Sequence, residues 1–265
     1  MDNPSGDTKL HEALIRAAQA AGERIMEDFG QKPEIIHKRD GSPVTASDDA
    51  AEALILGALG ALSPLPVVAE EAMHARPAPE FPEGASFWLV DALDGTREFI
   101  SGGQNFSVNI ALIERGQPTF GVIHAPAHGI TWHAARGAGA HRIENGHTQR
   151  VRMREADAHN LAILGGVQSS AAVVLEPIIG AHKIGNRAQM SSSIKFCLLA
   201  QGQADLYPRL GRTYEWDTAA GDIILRESGG AVIALTDHLP LAYGKRAAGF
   251  ANPGFVAGTR KSLRL

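Results

Sequence analysis

The sequence predicts a layered α/β protein, with sheets and helices sharing one core. Three observations predict it. Apolar residues recur at helical spacing through most of the first sixty residues. Short apolar runs bounded by turn residues begin at residue 66, and the pattern becomes strand-rich from about Ser107. Helical and strand-like stretches then alternate toward the C-terminus. At 265 residues and 44% hydrophobic, the chain can bury a full core as one large domain or two tightly joined halves. The change of pattern near residues 150–160 divides it into an N-terminal half, 1–155, and a C-terminal half, 156–265.

The elements follow in order. Leu10, Leu14, Ala17, Ala18, Ala21 and Ile25 make one helical stripe over residues 9–28. Ile35-Ile36 begins a short strand that Gly41-Ser42-Pro43 breaks. Ser47 is placed to cap a second helix reaching Leu62, apolar at Ala51, Leu54, Ile55, Ala58 and Leu62. Pro66–Ala69 reads as a strand delivering Glu70, and Pro77, Pro79 and Pro82 mark a surface loop. Phe87–Val90 is a buried strand delivering Asp91. Val108–Ile113 and Thr119–His124 are strands joined by the turn Glu114-Arg115-Gly116-Gln117. Ile130–Ala134 and Ala140–Ile143 extend the meander, and Asn145-Gly146 is a two-residue hairpin turn. Beyond it come a strand at Leu161–Leu164, a helix at Ala171–Ile179, and a helix over 193–201 with Gly202 at its C-terminal end. A strand at Ala204–Tyr207, a helix over 214–228 capped by Thr213 and stopped at Gly229-Gly230, and a strand at Ala231–Leu235 complete the reading.

Composition excludes several functions. A net charge of −4 carries no nucleic-acid footprint and no attraction to an anionic membrane. The polar start, Met1 to Asp7, lacks the apolar core of a signal peptide, and no apolar run approaches membrane-spanning length. The single cysteine, Cys197, excludes an internal disulfide and sits in an apolar segment, where an inert thiol is the ordinary outcome. A cytoplasmic enzyme or binding protein is the expectation. Of the eleven histidines, His124, His128 and His133 surround a hairpin without metal-type pairing, and surface or structural roles are expected for them.

The chemistry concentrates at Asp91-Ala92-Leu93-Asp94-Gly95-Thr96. Two carboxylates at the end of an apolar strand repel one another and resist desolvation, and a divalent cation removes both problems. Glu70-Glu71 and Asp217 end other elements. Hard oxygen ligands without cysteine or paired histidine point to magnesium or manganese rather than zinc. Each carboxylate alone would ordinarily be a solvated loop residue, and Asp217 has a rival role as a favourable charge at a helix N-terminus.

Glu70-Glu71, the segment from Asp91 to Thr96, and Glu215-Trp216-Asp217-Thr218-Ala219-Ala220-Gly221 together resemble the signatures of the inositol monophosphatase superfamily, in order and spacing, over nearly the whole chain. The resemblance implies an alternating α-β-α-β-α sandwich and magnesium-dependent, lithium-sensitive phosphatase activity on a small phosphorylated metabolite, with two or three Mg2+ ions or Mn2+ in their place. A homodimer is compatible with it. Arg97-Glu98-Phe99-Ile100, Ser192-Ser193-Ile194-Lys195-Phe196-Cys197 and Tyr243-Gly244-Lys245-Arg246 are similar to the bacterial 3′(2′),5′-bisphosphate nucleotidase branch. By position, Glu70, Asp91 and the Leu93 carbonyl would hold a first metal, Asp91, Asp94 and Asp217 a second, and Asp48 would help hold a third. Glu70 and Thr96 would activate water, with Asp94 beside them. Gly95 and Thr96 amides would hold phosphate, and Ser193, Lys195, Arg209 and Asp217 would line the substrate site that the C-terminal half completes. Two positions depart from the pattern: Ala92 stands where proline is usual, and Gly165 to Ser170 replaces a Ser-basic-Ser-His element. Lys183, Arg187, Lys195, Arg209 and Arg212 are the basic residues that could compensate. Hydrolysis of inositol monophosphate or another polyol phosphate is the alternative activity. A non-catalytic phosphate-binding role is disfavoured, because binding alone has little need of the Glu70–Thr96 pair.

Overall fold

The computed structural model describes residues 7–38, 41–157, 159–165, 180 and 183–259. Helices α1 (Thr8–Asp28) and α2 (Ala46–Leu62) pack together on the outer face of a seven-stranded sheet. A two-residue-per-strand hairpin, β1 (Ile36–His37) and β2 (Pro43–Val44), joins them. The sheet runs in chain order through β3 (Val67–Ala69), β4 (Phe87–Asp94), β5 (Ser107–Glu114), β6 (Gln117–Ala125), β7 (Ile130–Ala135), β8 (Gly139–Glu144) and β9 (His147–Val151). Only β3 and β4 are parallel within it.

A second sheet combines β10 (Leu161–Leu164), β11 (Ile184–Ala188), β12 (Leu206–Arg209), β13 (Gly230–Ala234) and β14 (Phe255–Thr259) in the order β11-β10-β12-β14-β13. Between the sheets lie α5 (Ile194–Ala200) and α6 (Glu215–Ser228), and two short helices, α3 (Glu70–Ala75) and α4 (Thr96–Ile100), follow β3 and β4. The described layers therefore alternate helix, sheet, helix, sheet. The helix expected over Ala171–Ile179 lies outside the described residues.

Burial explains the apolar runs. Trp88 and Val90 of β4 face the core under α1 and α2, whereas Phe87 and Leu89 face the core between the sheets. A strand covered on both faces has no polar side, so it reads as continuous hydrophobics. Gly121 of β6 lets α6 approach closely, since a Cβ there would lie 2.8 Å from the Ala220 Cα.

Several boundaries differ from the sequence reading. Thr45, not Ser47, caps α2: the Thr45 hydroxyl accepts from Ser47 N at 3.3 Å, while Thr45 N donates to Asp48 Oδ2 at 2.8 Å. Ser47 lies inside the first turn and donates to Asp28 Oδ2 of α1 at 2.7 Å. Tyr214 rather than Thr213 precedes α6, its N–H held by Asp217 Oδ2 at 2.8 Å, while the Thr213 carbonyl accepts from Asn252 N. Strand β12 starts at Leu206, two residues beyond the expected Ala204. The sequence carries no clear signal for strands β11 and β14 or for helices α3 and α4. β11 is a mostly exposed edge without alternation, β14 contains glycine, and both helices span less than two turns.

Candidate metal centre

The site begins with a β-bulge. Asp91 pairs with Asn109 and Asp94 with Ser107, so two residues of β4, Ala92 and Leu93, oppose one of β5. In a regular strand, residues three apart point to opposite faces. The extra residue turns Asp94 back toward the side of Asp91. Gly95 follows in the left-handed region at φ +102°, where a Cβ would also lie 3.2 Å from the Asn105 carbonyl oxygen. Glycine is needed there twice over, and the chain then enters α4.

Three elements converge on this turn. Glu70 opens α3, Asp91 lies near the end of β4, and Asp217 sits in the first turn of α6; one carboxylate oxygen from each lies within 4.8 Å of the others. Asp91 is only 2% exposed. Burial, then the charges of Glu70, Asp94 and Asp217, push its pKa well above the carboxylate range. Burial, followed by Asp94 and Glu70, does the same to Asp217. An all-oxygen donor set that resists ionisation on its own fits a hard divalent cation.

The neighbouring groups fix these carboxylates. Lys38 Nζ donates to Glu70 Oε1 and Glu71 Oε1 at 2.6 Å each. Burial opposes its charge, but the two glutamates outweigh burial and hold the Lys38 pKa above its ordinary value. Glu71 is pushed up to about 8 by burial and then by Glu70. Glu52 of α2 accepts from Glu71 N and Ala72 N at 2.8 Å each, which fixes the start of α3. Neither Lys38 nor Glu52 was picked out from the sequence. The charge of Lys38 beside the Gly41-Ser42-Pro43 turn was the available signal, but only the β1–β2 fold brings it to Glu70.

Thr96 Oγ1 lies 3.0 Å from Asp48 Oδ1 and 3.2 Å from the Leu93 carbonyl oxygen. Asp48 stands outside the Glu70–Asp91–Asp217 cluster, with Oδ2 taken by Thr45 N and by Thr45 Oγ1 at 2.7 Å. Asp94 lies outside it too, its Oδ2 accepting from Ser193 N at 2.5 Å.

A cleft of about 360 Å3 opens beside the cluster, lined among others by Glu70, Asp94, Gly95, Thr96, Ser193, Lys195, Tyr207, Arg209 and Asp217. Lys195 is 5% exposed. Its Nζ donates to the carbonyls of Met190 at 3.1 Å and Ser192 at 2.5 Å and sits 5.0 Å from the centre of the Tyr207 ring. Burial brings its pKa down to about 8. Arg209 donates to the Arg212 carbonyl at 3.3 Å, and its buried Nε has no partner among the described residues. The other basic candidates do not line the cleft: Arg212 is exposed over the Tyr214 ring, and Lys183 and Arg187 are exposed at β11 and its approach. Of the replaced Ser-basic-Ser-His element, residues 166–170 lie outside the described residues.

Cys197 is fully buried, and burial pushes its thiol well above the ordinary range. His124 is pushed down to about 4 by burial and bonds Thr131 Oγ1 through Nδ1 at 2.9 Å. No described helix is long and apolar enough to cross a membrane.

Known proteins resemble this chain over nearly its whole length. The inositol monophosphatase family matches residues 7–263. A 3′(2′),5′-bisphosphate nucleotidase CysQ from Salmonella typhimurium is 40% identical over 247 residues, covering 92% of this chain and 97% of the relative. One of the same name from Aggregatibacter actinomycetemcomitans is 37% identical over 258 residues, covering 95% and 93%. The crystal structure of CysQ from Bacteroides thetaiotaomicron, described as a bacterial member of the inositol monophosphatase family, superposes with a TM-score of 0.78 at 30% identity, covering 96% of this chain and 98% of that one.

Proposed function

Because this chain belongs to the inositol monophosphatase family, a family of phosphatases, we propose that it is a magnesium-dependent 3′(2′),5′-bisphosphate nucleotidase, releasing phosphate from 3′-phosphoadenosine 5′-phosphate to leave AMP. The observation that carries this reading is the convergence of Glu70, Asp91 and Asp217 at a cleft whose lining includes Lys195 and Arg209.

Glu70, Asp91, Asp217 and the Leu93 carbonyl would hold cations, with Asp94 completing the set and Asp48 at its margin. When bound, such cations lower the pKa of water and neutralise charge on the entering and leaving oxygens of an in-line displacement. The protein's own groups do the rest. Thr96, its hydroxyl held between Asp48 and the Leu93 carbonyl, orients the attacking water, and Glu70 takes its proton. The amides of Gly95 and Thr96, at the turn into α4, hold the scissile phosphate. Lys195 has two of its three protons on carbonyls, which leaves one for the second phosphate of a bisphosphate, with Arg209 beside it. The names of the CysQ relatives support a nucleotide substrate.

The test is phosphate release from 3′-phosphoadenosine 5′-phosphate, inositol 1-phosphate, fructose 1,6-bisphosphate and 5′-AMP, with magnesium and with or without lithium. The bisphosphate nucleotide should be the best substrate and lithium should inhibit. Faster release from inositol 1-phosphate would replace the nucleotidase reading with the polyol-phosphatase one.

A further inference from the structure

Ser193 links the Asp94 carboxylate to the backbone of Asp217. It stands just before α5, after Ser192, whose φ of +59° is left-handed. Its hydroxyl lies 2.6 Å from Asp94 Oδ2 and 2.7 Å from the Asp217 carbonyl oxygen. Asn109, directly across from Asp91 in the β4–β5 ladder, donates from Nδ2 to the same hydroxyl at 2.9 Å. Both side chains are buried, Ser193 at 2% and Asn109 at 1% exposure. A hydroxyl has one proton and two acceptor sites. With Asn109 donating into one of those sites, the Ser193 proton is directed to Asp94 or to Asp217. One side chain thereby spans the gap between β4 and α6, the elements that carry these two acids.

We propose that Ser193, oriented by Asn109, is a positioning residue that sets the spacing of Asp94 and Asp217 and so tunes how tightly the site binds a divalent cation. The inference rests on the reading that these carboxylates hold a cation. It also gives Ser193 a task other than substrate contact, since its one proton is shared between the Asp94 carboxylate and the Asp217 backbone carbonyl. Partners that orient metal ligands commonly change affinity roughly 10- to 100-fold when removed.

The test uses Ser193→Ala and Asn109→Leu in the full chain. Two midpoints in magnesium are measured: protection against thermal unfolding, and activation of phosphate release. Ser193→Ala keeps the backbone N–H on Asp94, so the fold should be preserved, although the buried Asn109 amide loses its acceptor and the metal-free unfolding temperature should fall by a few degrees. Its magnesium midpoint should rise about 10-fold in both assays, a larger change than any in the substrate KM at saturating magnesium. Asn109→Leu should shift the midpoint less, because the hydroxyl remains. Adding it to Ser193→Ala should cause no further loss, as expected for residues acting through one contact. An unchanged magnesium midpoint with a raised substrate KM would overturn the proposal and make Ser193 a substrate contact. A lowered metal-free unfolding temperature with an unchanged midpoint would also overturn it, leaving packing alone. Asp217→Asn, run alongside, separates the two levels: if it too leaves the midpoint unmoved, the cation reading fails rather than the role of Ser193.

Discussion

Replacing Lys195 by methionine tests how the cleft reads its substrate. Methionine keeps the length and apolar stem but removes the ammonium. In the folded protein that ammonium already serves the Met190 and Ser192 carbonyls, so it has one donor left for a ligand. One charge-assisted hydrogen bond contributes about 1.5–3 kcal/mol, which corresponds to roughly 10- to 150-fold in kcat/KM. Stability is a poor readout here. The Lys195 pKa of about 8, against an ordinary 10.5, means that burying the charge costs about 3 kcal/mol at neutral pH. Methionine relieves that cost but leaves two carbonyls without their donor, which opposes the gain. The assay is phosphate release from 3′-phosphoadenosine 5′-phosphate and from adenosine 3′-monophosphate, which carries only the scissile phosphate. The bisphosphate should lose about 10- to 150-fold more than the monophosphate. Any loss common to both reports the Ser192 turn, which Lys195 also braces. In the wild type, the preference for the bisphosphate should fall as pH rises through about 8, where Lys195 loses its proton. Equal losses on both substrates, with a preference that does not change with pH, would refute a role for Lys195 in reading the second phosphate.

Asp91→Asn should abolish activity and most of the stabilisation by magnesium while leaving metal-free stability unchanged or higher, because it removes an acid whose ionisation burial and its neighbours oppose; wild-type magnesium dependence of rate in this variant would reject the assignment. Glu70→Gln and Thr96→Ala should each lower kcat on the order of 10²-fold or more with little change in KM, because orienting water matters in the transition state; a defect confined to KM would assign them to binding. Without metal, thermal stability should fall as pH rises above about 4, since Asp91 and Asp217 keep their protons in the folded state after the unfolded chain has lost them. Magnesium should flatten that slope, and a metal-free profile that instead climbs with pH would show that these acids are not destabilised.

What the sequence made legible depended on locality. Asp91, Asp94, Gly95 and Thr96 are contiguous, and an apolar strand followed by acids and glycine is a local pattern that needs no tertiary knowledge. The doubly covered strands Phe87–Val90 and Val108–Ile113 were legible because burial on both faces leaves no polar residue to blur them. Lys38 and Glu52 were not, because a lone charge in a hairpin or on a helix resembles any solvated charge until the fold sets it against Glu70 or the amides of α3. The bulge at Ala92-Leu93 was hidden for a related reason: it exists only in the register between β4 and β5. The cap of α2 was misplaced by two residues because Thr45, Ser47 and Asp48 are all capping residue types, and the reciprocal Thr45–Asp48 bonds decide among them.

The most direct test of the central claim is phosphate release from 3′-phosphoadenosine 5′-phosphate by protein stripped with a chelator and then titrated with magnesium, with wild type and Asp91→Asn in parallel. The wild type should be inactive when stripped and regain full activity with magnesium, while Asp91→Asn stays inactive throughout. Release that persists in the stripped wild type, or returns equally in Asp91→Asn, would contradict the assignment of Glu70, Asp91 and Asp217 as the metal centre of a nucleotide phosphatase.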